Sequence, residues 1–220
     1  MASASEKAIR DAVIARCREH WPEARIIHEL AIGGCRADIA VVTEQHVFSF
    51  EIKSERDTLE RLERQFKFFD ASTHGCIVVT HECWFEKFAY ANGISGLRPS
   101  PELKEYDIRA TALWVFPEPA EGSWQTNVYR WRKPGRDFNF DQFRQPRAAN
   151  LLGILLKEEL VNEARRHRVP IKTKWSVTPI INAMAYHMTG REVAEAVCRQ
   201  LRMRRFAEAD EPIYPERTAA

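Results

Sequence analysis

Three consecutive strand patterns within the first quarter of this 220-residue chain constrain its fold more than any other feature. The first two patterns, Arg25 to Ile32 and Arg36 to Thr43, flank Gly33-Gly34, a pair that is typical of a two-residue hairpin turn. The third, His46 to Lys53, alternates side chains between two faces with a period of two. The chain is therefore expected to form a three-stranded meander here.

Helical patterns flank this meander on both sides. Ser5 to His20 carries apolar side chains at helical spacing and ends before Trp21-Pro22, because a residue that precedes proline avoids the helical region. After the meander, Asp57 to Glu60 fits a capping box, which predicts a helix that runs to about Phe69. The apolar run from Gly75 to Thr80 then predicts a buried strand parallel to the third strand of the meander.

The rest of the chain predicts a change of architecture near residue 140. Before that point, the patterns predict a short helix over Cys83 to Ala91 and a proline-containing loop over Leu97 to Glu105. They also predict a pair of strands, Ala112 to Phe116 and Gln125 to Trp131. After it, three helices are expected at Leu151 to Ala164, Thr178 to Met188 and Arg191 to Arg204. We therefore expect an α/β domain over residues 1–140 and a basic helical extension over residues 141–220.

A group of chemically suggestive side chains lies within the meander. Period-two alternation places Glu51 and Lys53 on one face of the third strand, and Asp38 belongs to the strand before it. Two carboxylates that converge with a backbone carbonyl, here that of Ile52, provide the oxygen ligands that Mg²⁺ prefers. A lysine beside such a site can orient or deprotonate a water molecule. The pattern thus predicts a Mg²⁺ or Mn²⁺ site at Asp38, Glu51 and Ile52.

The order of these residues resembles the PD-(D/E)XK nuclease superfamily, which has the restriction-endonuclease-like fold. The resemblance rests on Asp38, on Glu51-Ile52-Lys53, and on Gln65-x-x-x-Phe69 in the next helix. With His28-Glu29 and the leucine-rich Leu151 to Leu160, these motifs look like a bacterial and phage family that is similar to the MmcB-like DNA-repair nucleases. The resemblance covers most of the chain and is strongest over residues 25–80.

This resemblance implies a restriction-endonuclease-like mixed sheet flanked by helices, with an all-helical C-terminal extension. It also implies Mg²⁺- or Mn²⁺-dependent hydrolysis of DNA phosphodiester bonds in DNA repair, recombination, or phage or defence DNA processing. The catalytic set that it implies is Asp38, Glu51, Lys53, Gln65 and Glu29. Glu6 is an alternative to Glu29 as the additional acidic residue that such nucleases often carry. Ala37 replaces the usual proline, and Phe69 replaces the usual tyrosine, which removes a hydroxyl contact to phosphate.

Three other interpretations remain open at this stage. Glu51 and Lys53 are also compatible with an exposed ion pair on a sheet edge, and Gln65 with a solvated helix surface. The chain could be a catalytically inert member of the same fold that binds nucleic acid or protein. The last two predicted helices have the length of a helix-turn-helix, which would suit a transcription regulator, although a helical lid or dimer element fits them equally.

Composition narrows the location and the partners. Five cysteines without a Cys-x-x-Cys pair favour reduced thiols in the cytoplasm, and no apolar run is long enough to cross a membrane. The formal net charge is only +2, yet residues 165–205 hold ten Lys and Arg against two Glu. This asymmetry favours DNA as a partner of the C-terminal region. A homodimer, or association with an accessory DNA-processing protein, is left open.

Overall fold

The structure is a computed structural model that describes residues 4–89, 95–106, 108, 112–119, 129–131, 144–172 and 174–214. Helix α1 (Ala4–His20) leads into strands β1 (Arg25–Ile32), β2 (Cys35–Val42) and β3 (Val47–Lys53), which pair antiparallel in sequence order. The β1–β2 turn requires glycine, since both of its residues have positive φ angles of 57° and 84°. The predicted meander is confirmed.

Helix α2 (Leu62–Ser72) connects β3 to β4 (Gly75–His81), and β4 pairs parallel to β3 as predicted. The predicted capping box is wrong. Asp57 accepts hydrogen bonds from the backbone N–H and the hydroxyl of Ser54 at 2.7 and 2.6 Å, so it closes the turn after β3. The helix begins five residues later and has no side-chain cap at its N-terminus.

The helix predicted over Cys83 to Ala91 and the loop predicted over Leu97 to Glu105 are also wrong. A 3₁₀ turn is followed by an antiparallel pair of strands, β5 (Phe85–Ala89) and β6 (Ser95–Pro99), and then by the short helix α3 (Pro101–Lys104). The cross-strand ion pair between Glu86 and Arg98, at 2.7 Å, supports this pairing. Local periodicity could not reveal it, because the partner strand lies outside the segment.

Strand β7 (Leu113–Phe116) is the last strand of the main sheet among the described residues, in the order β1-β2-β3-β4-β7, and it runs parallel to β4. The predicted partner strand, Gln125 to Trp131, lies mostly outside the described residues. The mixed α/β sheet flanked by helices is therefore confirmed. None of the described helices is long and apolar enough to cross a membrane.

Alternating side chains build a separate core on each face of this sheet. Phe48, Phe50 and Ile52 of β3 pack towards α1, in a cluster that also contains Trp114. The opposite face joins β1, β2 and β4 to α2 and to the C-terminal helices in one continuous cluster. Glu51 and Lys53 alternate with the α1-facing residues, so they lie on the face that α2 covers.

Four helices form the C-terminal region: α4 (Ala148–Leu152), α5 (Lys157–Arg166), α6 (Val177–His187) and α7 (Gly190–Met203). The single helix predicted over Leu151 to Ala164 is therefore divided. The backbone N–H of Leu156 donates to the Glu159 carboxylate at 2.8 Å, which starts a new helix at residue 157. The expected helical C-terminal region is confirmed.

The predicted domain boundary near residue 140 lies outside the described residues, so the division into two domains stays a prediction. Contacts nevertheless link the C-terminal region to the sheet. The buried Arg25 of β1 donates hydrogen bonds to the carbonyls of Leu201 and Arg202 at the end of α7 and of Arg204 just after it. Ala209 then pairs as an antiparallel bridge with Ile27. The end of the described chain thus covers an edge of the main sheet.

Candidate active site

Two neighbouring strands bring Asp38 and Glu51 together. Pairs such as Ile39 with Phe50 set the β2–β3 register, and its continuation places Asp38 opposite Glu51. Oδ2 of Asp38 accepts a hydrogen bond of 2.7 Å from the backbone N–H of Ile52. The two carboxylates that the sequence predicts to converge are therefore on adjacent strands at one level of the sheet.

The β1–β2 hairpin is irregular beside these carboxylates. Glu29, opposite Asp38 in the hairpin, has a φ angle of 53°, which is a costly conformation for a residue with a Cβ atom. Ile27 and Leu30 both face the α2-side core, whereas regular alternation would place them on opposite faces. The candidate site therefore lies where the side-chain alternation of the strand shifts by one residue.

Glu51 and Lys53 form a buried ion pair and not the exposed pair that was the alternative. Their residues are 2% and 5% exposed, and Nζ of Lys53 donates to Oε1 of Glu51 at 2.8 Å. Nζ also lies 3.4 Å from Oε1 of Gln65, on α2. Oε2 of Glu51 is buried and has no hydrogen-bond partner among the described residues. An unsatisfied buried carboxylate oxygen is costly, so its presence calls for a functional explanation.

Burial makes both carboxylates harder to ionise. Desolvation raises the pKa of Asp38 to about 6, although the hydrogen bond from Ile52 opposes that shift. Desolvation and the neighbouring Asp38 charge raise the pKa of Glu51 to about 7, against the opposing effect of Lys53. Glu51 is buried and Asp38 is half-buried, so their like charges repel at close range. A shared cation would relieve both the repulsion and the loss of hydration.

Arg10 of α1 is a member of the site that the sequence analysis missed. Its guanidinium donates to the backbone carbonyl of Asp38 at 2.9 Å, and Nη2 lies 3.7 Å from Oδ1 of the same residue. Nη2 also contacts Glu6 at 3.3 Å and Glu29 at 3.9 Å. The helical spacing of Glu6 and Arg10 was the only sequence signal, since nothing local indicates that α1 packs beside β2.

Both candidates for the additional acidic residue therefore surround Arg10. Glu6 reaches it from one turn earlier on α1, and Glu29 reaches it from β1 while also pairing with Arg36 at 3.5 Å. The negative charge of Glu29 contributes to raising the pKa of Asp38. Glu29 therefore has an electrostatic effect on one of the predicted metal ligands.

The donor set fits a hard divalent cation held by few protein ligands. Asp38 and Glu51 offer carboxylate oxygens, one of them buried and unsatisfied, and Mg²⁺ commonly binds one or two carboxylates while it keeps several waters. Among the described residues, no group of three or more His, Cys, Asp or Glu side chains is placed to hold a metal ion. The predicted contribution of the Ile52 carbonyl stays a prediction, because the contact with Asp38 is through the Ile52 N–H.

Comparison with known proteins gives one finding. A family model described as bacteriophage P4 protein cII matches residues 1–91, which is under half of the 220-residue chain. No curated protein and no solved structure matches the chain. The matched range contains α1, the meander, α2, β4 and every residue of the candidate site. Over that range the chain is similar to the bacteriophage P4 cII family.

Proposed function

We propose that this chain is a metal-dependent DNA phosphodiester hydrolase of the PD-(D/E)XK type. The observation that carries the proposal is the position of Asp38, Lys53 and Gln65 around the buried carboxylate of Glu51. One oxygen of that carboxylate, Oε2, has no hydrogen-bond partner among the described residues. A biological role in DNA repair, recombination, or phage or defence DNA processing is supported only by the resemblance of the motifs.

The chemistry divides between the carboxylates and the neighbouring polar groups. Asp38 and Glu51 would hold Mg²⁺ or Mn²⁺, which supplies Lewis-acid activation of the phosphate and of an attacking water. The backbone N–H of Ile52 fixes the Asp38 carboxylate, and Lys53 fixes one oxygen of Glu51. The carboxylates are therefore oriented before a cation arrives, which reduces the cost of assembling the site.

Lys53 has a second role in this proposal. Its ammonium is held between Glu51 and Gln65, so its three protons have a fixed direction. A cation in this position stabilises the negative charge that develops on a phosphate during in-line attack, and it can also orient the attacking water. Gln65 restrains the ammonium from α2 and offers its own amide to water or substrate.

One observation favours the second candidate, an inert nucleic-acid-binding or protein-interaction module of the same fold. The guanidinium of Arg10 already lies 3.7 Å from Oδ1 of Asp38 and neutralises part of the acidic charge. A site balanced by its own arginine has less need of a metal ion. Binding of a divalent metal separates the two candidates, because an inert module has no use for a cation at Asp38 and Glu51.

The test is cleavage of labelled linear, nicked, flapped, branched and single-stranded DNA with Mg²⁺ or Mn²⁺. Wild type is compared with Lys53→Ala and with Lys87→Ala, a control at an exposed lysine that pairs with Glu82 on the surface. We expect Lys53→Ala to lower the cleavage rate by on the order of 10²–10³, as for other removed transition-state donors. The control should cleave like wild type.

Equal cleavage by wild type and Lys53→Ala would contradict the assignment of this site. Calorimetric titration with Mn²⁺ resolves the case in which no DNA is cut. Absence of both cleavage and metal binding would favour the inert module. Circular dichroism of each variant excludes unfolding as the cause of a lost activity.

A further inference from the structure

An acid-free stretch of the chain lies between the middle of the C-terminal region and its last helix. From Ala164 to Arg191 the sequence has no Asp or Glu, although Glu163 and Glu192 flank it directly. It holds six Lys and Arg residues, namely Arg165, Arg166, Arg168, Lys172, Lys174 and Arg191. The sequence thus concentrates positive charge where no carboxylate of the same segment can neutralise it.

The structure leaves five of these cations exposed. We call residues 165–174 the basic segment; it comprises the last turn of α5 and most of the connection to α6. Its Arg and Lys side chains are on the surface, and none of them forms an ion pair with a carboxylate in the described parts of the chain. Like charges held together on a surface repel, so this arrangement favours binding of an anion.

The arginines of α7, in contrast to those of the basic segment, are paired with carboxylates. Arg191 pairs with Glu195 at 2.9 Å, Arg199 with Glu163 at 2.9 Å, and Arg204, just after the helix, with Glu159. Six residues of α7 are also buried in the core. In a helix-turn-helix the second helix enters the DNA groove. α7 is the second helix of its pair, yet after Arg191 all of its residues are buried or half-buried, so it presents little free surface to a groove.

Helix α6, unlike α7, presents an exposed polar face without charged residues. Thr178, Asn182 and Tyr186 recur at four-residue spacing, so they share one face of the helix. All three are exposed, and Tyr186 is 85% exposed. The helix carries no Asp, Glu, Lys or Arg, and its first residue follows the basic segment closely. An uncharged hydrogen-bonding face that closely follows unpaired cations in the chain is a combination that suits nucleic acid.

We propose that the basic segment and the outward face of α6 together form a docking surface for duplex DNA. The cations contact phosphates, while Thr178, Asn182 and Tyr186 face a groove, where hydroxyl and amide groups can contact base edges. This inference rests on the proposed function and extends it, because it names the surface that would bind the DNA substrate. It assigns DNA binding to a surface that is separate in sequence from Asp38, Glu51 and Lys53.

Arg168 makes the proposal sharply testable. It follows α5 with a φ angle of 56°, and the next N–H, that of Val169, donates back to the carbonyl of Ala164 at 2.8 Å. Glycine is the residue that best tolerates this position at a helix end. A purely structural role would favour glycine, so the presence of arginine points to a use for its charge. Arg168→Gly should therefore remove a phosphate contact without weakening the fold.

The experiment measures fluorescence anisotropy of a labelled 20-base-pair duplex with the full chain, in EDTA so that nothing is cut, over a series of salt concentrations. Wild type is compared with Arg168→Gly and with a quintuple variant, Arg165→Gln/Arg166→Gln/Arg168→Gly/Lys172→Gln/Lys174→Gln. Asn182→Ala/Tyr186→Ala tests the helix face. Lys87→Gln is the matched control, because it removes one exposed cation that is already paired.

Each phosphate contact contributes about 0.9 to the slope of log affinity against log salt, so Arg168→Gly should reduce the slope by about 0.9 and the quintuple variant by about 4.5. Thermal midpoints should stay unchanged or rise for Arg168→Gly, and Lys87→Gln should bind like wild type. Asn182→Ala/Tyr186→Ala should weaken binding with an unchanged salt slope, because it removes no charge.

An unchanged slope in the quintuple variant, or no duplex binding by wild type at low salt, would overturn this surface. These results are distinct from failure of the nuclease proposal. A chain that binds through this surface and does not cut with metal would refute the nuclease alone. One that cuts DNA while the quintuple variant keeps full affinity would refute the docking surface alone.

Discussion

Two pairs of carboxylates that are buried or half-buried differ in how completely hydrogen bonds satisfy their oxygens. In the C-terminal region, both oxygens of Glu163 accept from Arg199, and Gln200 donates to one of them. Glu159 is likewise bound through both oxygens by Arg204. In the candidate site, Glu51 has a lysine on one oxygen and no partner among the described residues on the other.

This difference separates structural from functional acids. An arginine fork compensates a buried carboxylate by charge and by two hydrogen bonds, so Glu159 and Glu163 complete the packing of the helices. Asp38 is half-buried and Glu51 is buried, both with incomplete compensation, and desolvation raises the pKa of each. A fold retains such a cost where a ligand recovers it, and strongly shifted carboxylates gather at functional sites for this reason.

The largest expected effect on stability follows from removing a buried carboxylate whose oxygens are both hydrogen-bonded. Glu163 is 1% exposed, so Glu163→Ala leaves the Arg199 guanidinium without its partner in a mostly buried position. We expect the free energy of unfolding to fall by about 3–5 kcal/mol, as measured by urea denaturation. Arg191→Ala is the control, because it breaks an exposed ion pair on α7, the helix that carries Arg199. It should change the free energy of unfolding by less than about 0.5 kcal/mol. Similar losses in both variants would contradict the comparison.

The incompletely satisfied acids should instead respond to metal. Addition of Mn²⁺ at about 100 times its dissociation constant should stabilise wild type by about 2.7 kcal/mol, because only the folded chain assembles the site. Asp38→Asn/Glu51→Gln should show no such gain in thermal midpoint. The measurement does not depend on cleavage, so it tests the metal site even if the DNA substrate is unknown. A gain of the same size in the double variant would place the metal elsewhere.

Sequence patterns predict the features of the candidate site that depend on neighbouring residues in the chain. Alternation along β3 placed Glu51 beside Lys53, and the glycine pair at 33–34 fixed the hairpin that brings Asp38 alongside. The patterns failed where a distant partner decides the structure. The β5–β6 segment carries the local patterns of a helix and a loop, and Asp57, which is predicted to cap a helix, closes the turn after β3 instead. Arg10 was missed because only the packing of α1 on the sheet brings it to Asp38.

A third prediction concerns the metal-free site, where the charge of Asp38 should reduce stability. Its folded pKa of about 6 exceeds the ordinary value of 3.8, so the folded state binds more protons between these pH values. The free energy of unfolding therefore falls as pH rises from about 4 through 6. Asp38→Asn should remove this penalty and stabilise the chain in EDTA by about 3 kcal/mol at pH 7.5, with little gain at pH 4.

Asp57→Asn is the matched control for that measurement. The Asp57 carboxylate accepts two hydrogen bonds from Ser54, so its charge is compensated and its removal should lower stability at pH 7.5. A loss of stability in Asp38→Asn as large as in this control would show that Asp38 is a satisfied structural acid. The comparison between the two kinds of acid would then fail.

The smallest expected effect is at Glu29, where the strained backbone and the candidate site coincide. Its φ angle of 53° costs an ordinary residue about 1 kcal/mol, whereas glycine adopts it freely. Glu29→Gly should therefore raise the free energy of unfolding by up to about 1 kcal/mol, offset in part by the loss of exposed contacts to Arg10 and Arg36. If Glu29 serves the site, DNA cleavage should fall in the same variant although the fold is more stable.

Glu6→Ala, which removes the other acid at Arg10 without relieving strain, should leave cleavage closer to wild type. A loss of activity that is greater in Glu6→Ala would assign the additional acid to α1.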